Sequence, residues 1–477
     1  MDIIAEHRAS KNFAQFWKIT NNLNIKSSLP TAVSGCSTER DIANMFMEKF
    51  QVSSPVSQPR GVLDAGTGSG QEILRFSSKQ VAAIIRKMSR GKSPGHDALS
   101  IEHLKYAGEH LPGVLAMFFS LYLHDAQFGF RPGLSTESAI LCLKQTVQYY
   151  TKRQTPVYAC FLDLSKAFDL VVYDVLWGKL EKAGVPRNLI EILKCWYMNQ
   201  QNNVRWGRAL SDAYRLKCGV RQGGLTSPKL FNLYVNELVV GLSSKPVRCH
   251  VDGICVNNIS YADDMVLLGP TTGAIAELLR TCEQYTSSHG LVYNCAKSEF
   301  LIFGVPGKGM SYEPKISLNG LPLKRVDKFK YLGHYLTGDL KDQIDIDRER
   351  RALAARCNML AHRFARCSEE AKITLFKAYC QSFYTGGLWV NYTQKALSAL
   401  RVQYNNGFRM LMGLPRHCSA SSMFALAGVD DFFAVMRNKK ASLLSRLRSS
   451  SNSILKMFAA KLDAPMLQHF IQVLVRS

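Results

Sequence analysis

The chain reads as an α+β protein, on three observations. Val157 to Leu164 is an apolar run of strand length. Ile254 to Tyr261 alternates in the manner of a half-buried strand, and a second apolar run, Met265 to Leu268, follows at once. Between these strand signals lies helical patterning: Leu176, Leu180, Leu189, Ile192, Leu193 and Trp196 repeat at helical spacing across residues 175 to 198. From residue 340 onward the pattern is helical throughout.

The two strand regions carry the chemistry. Ala262-Asp263-Asp264 falls between Tyr261 and Met265, which places it at the tip of a β-hairpin. Two adjacent like charges at a buried tip are costly unless compensated. A divalent cation is the natural compensator, because hard cations take carboxylate oxygens. Standing alone, such a pair reads as a solvated turn. A third carboxylate changes that: Asp163 interrupts the Val157–Leu164 run where a buried strand should have stayed apolar. In-line phosphoryl transfer uses two metals about 3.5–4 Å apart, one at the attacking and one at the leaving oxygen. Carboxylates from neighbouring strands can hold such a pair, so Asp163, Asp263 and Asp264 are the candidate metal ligands, with two Mg²⁺ (or Mn²⁺) ions as the implied cofactor. Asp169 and Asp174 read as a helix cap and a solvated turn.

Between the carboxylates lies GVRQGGLTSPKLFNLYVNEL, residues 219 to 238. Gly223-Gly224 permits close backbone approach, Ser227-Pro228 opens a helix, and Leu230, Leu233, Leu238 and Val239 supply its apolar face. A glycine-rich turn before a helix suits a nucleotide or a template backbone, although alone it is an ordinary loop–helix junction.

Taken in order, the three segments resemble the palm of reverse transcriptases. Asp163 matches the family's first metal aspartate, Arg221-Gln222-Gly223 and Ser227-Pro228 its nucleotide and template loop, and Tyr261 to Asp264 its metal-binding hairpin. QFGFRPGLSTESAI at 127 to 140, KSPGHDALSIEHL at 92 to 104, LVYNCAKSEFLIFG at 291 to 304 and Phe329-Lys330-Tyr331-Leu332-Gly333 are similar to LINE-type, non-LTR retrotransposon polymerases. The resemblance covers roughly residues 10 to 440 and is weakest at both ends.

It implies a right-hand polymerase: a palm of antiparallel sheet with helices, fingers, a helical thumb and a helical C-terminal region. The implied activity is RNA-directed DNA synthesis from deoxynucleoside triphosphates, with an RNA template and a DNA primer or target as partners. Phe168, five residues beyond Asp163, corresponds to a steric gate against the ribose 2′-hydroxyl; a core phenylalanine is the other reading. Gln222, Gly223 and Lys297 are implied nucleotide contacts. Arg221, Ser227, Pro228, Tyr261, Leu332 and Gly333 are implied template and primer contacts.

Composition is consistent with this. The chain has 477 residues, 47% of them hydrophobic, and a net charge of +23, which calls for a polyanionic partner. The longest apolar run, Leu111 to Leu123, is too short to span a bilayer and carries Pro112 and Gly113. Met1 to His7 includes Asp2 and Glu6 and does not read as a signal peptide. The 13 cysteines contain no CxxC pair, which points to reduced thiols in an intracellular protein of the nucleus or cytoplasm.

The expected organisation is a linker-like, partly disordered segment over 1–75, fingers and palm over 76–325, a thumb over 326–395 and a basic helical region over 396–477. In the thumb, Leu353, Cys357, Leu360 and Phe364 form one helical stripe, with Arg348, Arg351, Arg356 and Arg363 as a basic outer face. Leu397, Leu400, Tyr404, Phe408 and Leu411 form a second stripe, and Arg446 to Ser451 reads as a flexible surface turn. GVLDAGTGSG at 61 to 70 imitates the glycine loop of an S-adenosylmethionine-dependent methyltransferase, but the coil before it and the basic residues at 84 to 93 are not the surroundings such a loop needs. No space for an endonuclease is expected before residue 80. After Leu397 the acidic residues are Asp430, Asp431 and Asp463, too few for a ribonuclease H cluster.

One departure from the family stands out. The family places tens of residues, including a fingers hairpin with a basic residue for the triphosphate, between the helix resembling 108 to 123 and the QFGFR segment. Here LYLHDAQFGF joins the two directly. Lys92, Arg131 and Lys297 remain as candidate triphosphate contacts. The fingers are therefore expected to be incomplete, with an apolar patch exposed at Phe128 and Phe130. Three readings stay open: an active polymerase, a nucleic-acid-binding remnant impaired in catalysis, and the more distant methyltransferase.

Overall fold

The computed structural model describes residues 15, 29–52, 77–91, 100–119, 122–221, 224, 226–247, 249–308, 314–461 and 464–475. Its centre is a five-stranded sheet. The strands are β1 (Val157–Leu162), β2 (Asn258–Tyr261), β3 (Asp264–Gly269), β4 (Glu299–Phe303) and β5 (Lys324–Val326), and their spatial order is β5-β4-β1-β3-β2. β1 lies antiparallel to both β3 and β4, β2 antiparallel to β3, and only the short edge strand β5 runs parallel to its neighbour.

All six residues of β1 are buried. Helices α1 (Thr136–Lys152) and α2 (Thr272–His289) both pack on this strand, so its sequence is continuously apolar rather than alternating. Full burial of each Val, Leu or Phe side chain contributes about 1.5–3 kcal/mol, which makes the central strands the anchor of the palm. A side-chain ladder of rings extends it: Phe161 of β1 stacks on Phe329 with centroids 4.0 Å apart and leans on Tyr331 at 5.5 Å. Those two rings belong to β6 (Lys328–Tyr331), which forms a hairpin with β7 (His334–Thr337).

The helical segment expected across 175 to 198 is two helices, α3 (Tyr173–Lys182) and α4 (Arg187–Met198). Gly184 takes a left-handed φ of +79° and Pro186 follows, so the helix cannot continue through them. Ile192, placed on the apolar face by its spacing, is 63% exposed on α4. Next comes α5 (Ser227–Ser244), which carries a proline in its first turn.

Beyond the hairpin the chain is helical, as its pattern predicts: α6 (Gln343–Arg363), α7 (Glu369–Cys380), α8 (Gln394–Met412), α9 (Phe432–Arg448), α10 (Ser453–Ala460) and α11 (Pro465–Val475). Leu353, Cys357, Leu360 and Phe364 share one buried cluster with Leu400, Tyr404, Phe408 and Leu411. That cluster continues to Met436 and so crosses the boundary expected at 395. From Leu443 to Phe470 the apolar side chains join the palm core instead. Two stripes on α6 and α8 bury each other, and α10 closes back on α1.

Several expectations need correction. The Arg446–Ser451 stretch is not a free turn: Arg446 lies within α9 and pairs with Glu137 at 2.5 Å. The basic face of α6 is largely neutralised by its own acids. Arg348 bonds Asp345 and Glu349, Arg356 pairs with Glu349, and Arg351 pairs with Asp347. Part of the segment expected to be linker-like is ordered: Glu39–Phe50 is a helix capped by Thr38, its Phe46 stacked on Trp206 at 5.3 Å. The glycine loop at 61 to 70 lies outside the described residues. All thirteen cysteines are free, and no helix among the described residues is long and apolar enough to cross a membrane.

The direct junction near His124 is stitched into the fold. The His124 amide and the Gln127 side-chain amide both donate to Asn236 Oδ1, at 2.9 and 2.8 Å. Phe128 N donates to Ser260 O and Ser260 N to Ala126 O, both at 2.8 Å, so residues 126 to 128 run beside β2. Asn452 donates to Asp125 O at 2.7 Å from the start of α10. The expected apolar patch is therefore only half present: Phe128 is fully buried, whereas Phe130 is 58% exposed.

Candidate active site

The sheet register builds the acidic corner. Leu162 faces Met265 across β1 and β3. Extending that register by one residue sets Asp163 opposite Asp264. Tyr261 pairs with Asp264 across β2 and β3, leaving Ala262 and Asp263 as a two-residue hairpin turn. Ala262 holds φ at +58°, a left-handed conformation that this turn position reserves mainly for glycine. A non-glycine residue held there is strain of the kind found at functional sites.

Gly129 explains how the turn is supported. A Cβ built on Gly129 would lie 2.6 Å from Ala262 N and 3.0 Å from Tyr261 C, so only glycine lets this backbone pass under the hairpin. Its carbonyl accepts from the buried Asn232 side chain at 2.7 Å. On the opposite side, Asp163 is clamped by the loop before β4. Asn294 N donates to Asp163 O at 2.8 Å, and Asp163 N donates to Ser298 Oγ at 3.1 Å. Lys297 lies exposed on that same loop.

The electrostatics follow from the geometry. Asp264 is exposed, yet its carboxyl is pushed up to about 6 by partial desolvation in the palm and then by the charges of Asp263 and Asp163. Since solvent still reaches it, the two neighbouring charges are the firmer cause. Asp263 is also raised, by burial first and with Asp163 contributing. No described lysine, arginine or histidine appears among these influences. Asp163 raises the proton affinity of both hairpin carboxyls, and Asp263 that of Asp264, so the corner is a cluster of negative charge suited to a cation.

Among the described residues no three carboxylate, imidazole or thiol groups form a ready-made metal cage. A magnesium site does not require one, because Mg²⁺ is usually bound by one or two carboxylates, with waters and substrate phosphates completing the shell. The acidic corner fits that chemistry.

The surrounding positions are brought together unevenly. Phe168 is half-buried, stacked on Phe231 of α5 at 4.7 Å, and its carbonyl accepts from Val220 N at 2.7 Å. It thus lies at the rim of the core next to Arg221. Gln222 and Gly223 lie outside the described residues. Gly224 is packed so closely that an added Cβ would lie 2.6 Å from Ser227 Oγ. Ser227 itself is buried and shapes the helix start, with Pro228 next to it half-buried. Leu332 and Gly333 form the turn of the β6–β7 hairpin, at φ of +45° and +83°, and Tyr331 just before them senses the Asp264 charge after burial itself.

Of the candidate triphosphate contacts, Lys92 lies outside the described residues. Arg131 is engaged: its guanidinium donates to the carbonyls of His124 at 2.8 Å and Gln127 at 3.1 Å, and pairs with Asp125 at 3.4 Å. Lys297 is the candidate left in solvent. Gly129 escaped the sequence reading as a site residue although it sits inside QFGFRP, because a glycine between two aromatics carries no local mark of what it passes beneath.

With this geometry established, comparison with known proteins is informative. Residues 114–336 match the family described as "Reverse transcriptase (RNA-dependent DNA polymerase)". The chain is 29% identical over 222 residues to the "Retrovirus-related Pol polyprotein from type-2 retrotransposable element R2DM" of Drosophila melanogaster, covering 43% of this chain and 20% of that protein. It is 21% identical over 342 residues to the "RNA-directed DNA polymerase from mobile element jockey" of Drosophila funebris, covering 69% of this chain and 36% of that protein. The chain thus spans between a fifth and about a third of the length of these relatives. Among solved structures it is similar to apo telomerase from Candida tropicalis, at 12% identity and a TM-score of 0.38 over 83% of this chain and 62% of that one. That score is too low to bear on the fold, which rests on the strand order and register above. Residues 114–336 thus match the reverse transcriptase family, and the chain is similar to the polymerases of retrotransposable elements.

Proposed function

We propose that this chain is an RNA-directed DNA polymerase that adds deoxynucleotides to a primer 3′-hydroxyl on an RNA template. The observation that carries the reading is the register that sets Asp163 opposite Asp264, beside Asp263 in the hairpin turn. Asp163, Asp263 and Asp264 would hold two divalent ions, which supply charge stabilisation at the attacking and leaving oxygens of the displacement. Around them the chain's own residues do the positioning. Phe168, fixed against Phe231, presents a rigid ring where a ribose 2′-hydroxyl would have to fit. Lys297 stands in solvent on the loop that clamps Asp163 and can meet a triphosphate. Arg221, at the end of the segment bonded to Phe168, and the Leu332–Gly333 turn offer contacts for template and primer.

A second reading has its own support. Arg131 is held by three neighbours and the fingers segment is short, so triphosphate binding would rest heavily on Lys297. A chain of that kind would bind primer–template well and extend it poorly. One experiment separates the two readings: extension of a DNA primer on an RNA template with Mg²⁺, for the parent chain and for Asp163→Asn and Asp264→Asn. The polymerase reading expects extension by the parent and a loss of about 10³-fold or more in each variant. Binding without extension by the parent favours the remnant, and equal extension by Asp264→Asn and parent removes the metal assignment.

A further inference from the structure

The loop joining α7 to α8 holds a residue that no motif marks. Tyr384 is 40% exposed, while Phe383 before it and Thr385 to Trp389 after it are buried. Its two neighbours are both non-glycine residues in the left-handed region, Phe383 at φ +29° and Thr385 at φ +58°. Such backbone persists only where the surroundings over-determine it, and it concentrates at functional positions. The surroundings here are specific. Thr385 Oγ1 donates to the Tyr384 carbonyl at 2.7 Å, and Arg348 of α6 reaches the same carbonyl at 3.3 Å. The chain is bent so that one tyrosine points out of a buried loop.

What the tyrosine touches gives the bend a purpose. Its hydroxyl donates to the Leu332 carbonyl at 2.7 Å and lies 3.0 Å from the Thr136 hydroxyl at the start of α1. Its ring covers Gly333 so closely that a Cβ there would be 2.8 Å from Tyr384 Cε1. One side chain therefore ties together the helical region, the first turn of α1 and the β6–β7 turn. That turn is itself in a left-handed conformation at Leu332, which is disfavoured for a leucine and needs an outside hold. The acidic corner is close by: Tyr331, the residue before the turn, leans at 5.5 Å on Phe161 of β1, which stands two residues before Asp163.

We propose that Tyr384 is a positioning residue for the primer terminus, holding the Leu332–Gly333 turn in the pose that presents a primer 3′-hydroxyl to the acidic corner. This rests on the polymerase reading above. The tyrosine reaches no reacting atom. It acts through the backbone of the turn, so its loss moves the primer end without changing how the duplex or the triphosphate is bound.

The test uses the full chain as parent, Tyr384→Phe and Tyr384→Ala, on a DNA primer annealed to RNA with 2-aminopurine at the primer 3′ end. Thermal unfolding, primer–template affinity by fluorescence anisotropy, 2-aminopurine fluorescence, and kcat and KM for single-nucleotide addition are measured for each. Tyr384→Phe keeps the ring and removes one hydrogen bond, so kcat should fall about five- to tenfold, the scale of one net hydrogen bond. Its KM for the nucleotide, its affinity and its melting temperature should match the parent. Tyr384→Ala should lose more in kcat, and both variants should show a brighter, more mobile primer end. A uniform loss that tracks a fall in melting temperature would mark Tyr384 as merely structural and overturn the proposal. So would parent-like extension and parent-like fluorescence in both variants. If the parent binds primer–template without extending it, the polymerase reading weakens while the fluorescence still decides for or against Tyr384. A parent that binds no primer–template overturns both.

Discussion

Two pairs of aspartates close together in sequence meet opposite fates in this molecule. Asp263 and Asp264 sit at the tip of the β2–β3 hairpin, their proton affinities raised by burial first and then by neighbouring carboxylates, Asp163 for both and Asp263 for Asp264. Asp342 and Asp345, where α6 leaves the palm, are almost wholly buried and fully served. Asp342 accepts from Lys144 Nζ at 2.6 Å and from the amides of Val390 and Asn391 at 2.8 and 2.9 Å. Asp345 accepts from Trp389 Nε1 and Arg348 Nε, each at 2.8 Å, and from Tyr335 N at 3.1 Å, with His334 Nδ1 at 3.0 Å. Burial works to raise the Asp345 carboxyl, but the hydrogen bond and charge of His334, followed by those of Arg348, outweigh it and hold the carboxyl far below its ordinary range. The lesson is one of purpose. A carboxylate that holds the fold is given several partners, whereas the hairpin carboxylates that we propose as cation ligands have like charges as neighbours.

The sharpest way to break this contrast is to remove one acid from each pair. Asp345→Asn leaves Arg348 and His334 facing a neutral group in a buried site, and should destabilise the chain by about 3–5 kcal/mol in chemical denaturation. Asp264→Asn removes a repulsion and should leave unfolding unchanged or slightly harder. If the two variants lose stability equally, the division between structural and functional acids is wrong.

A second expectation concerns acid. The folded Asp345 carboxyl lies below its unfolded value near 3.8, so the unfolded chain binds the proton more readily. Its contribution to stability is therefore complete above about pH 4 and is lost as pH falls below that toward the folded value. Unfolding measured from pH 6 down to pH 2 should show a steep acid limb in the parent that is flattened in Asp345→Asn. An identical limb in both would place the acid sensitivity elsewhere.

Smaller effects probe the functional side alone. Phe168→Val should raise ribonucleotide incorporation relative to deoxynucleotide by on the order of 10–100-fold, the range open to a change of pocket shape. Unchanged discrimination would return Phe168 to the core through its Phe231 contact. Gly129→Ala should force the Tyr261–Ala262 backbone to shift, because the new Cβ would lie 2.6 Å from Ala262 N. Extension should then fall while primer–template affinity stays within about twofold, since phosphate contacts dominate such binding and the substitution removes no basic side chain. An affinity loss matching the activity loss would argue against this placement.

Much of the palm was legible because its signals are local. The apolar run into Asp163, the hairpin around Asp263-Asp264 and the helix opened by Ser227-Pro228 each depend on residues a few positions apart, and the structure places a strand, a hairpin and a helix there. The thumb stripe from Leu353 to Phe364 was legible for the same reason. The basic face beside it was misread, because composition counts arginines but does not see that Asp345, Asp347 and Glu349 on the same helix already hold them. The junction near His124 reads in sequence as a place where a fingers hairpin is missing, but its own packing was not legible. In space Asn236, Ser260 and Asn452 bond the residues of the junction to the rest of the fold.

By itself, then, the sequence determined the α+β class, the three carboxylates and the order in which the polymerase segments follow one another, because periodicity and short motifs survive without knowledge of distant partners. Only the tertiary structure decided which acids are satisfied and which are not, since Lys144 lies 198 residues from Asp342 and Trp389 lies 44 from Asp345. It also decided that Gly129 must be glycine and that Tyr384 faces the Leu332–Gly333 turn. Each of those depends on an approach between segments far apart in the chain, set by how the sheet and the helices pack, and no local pattern records it.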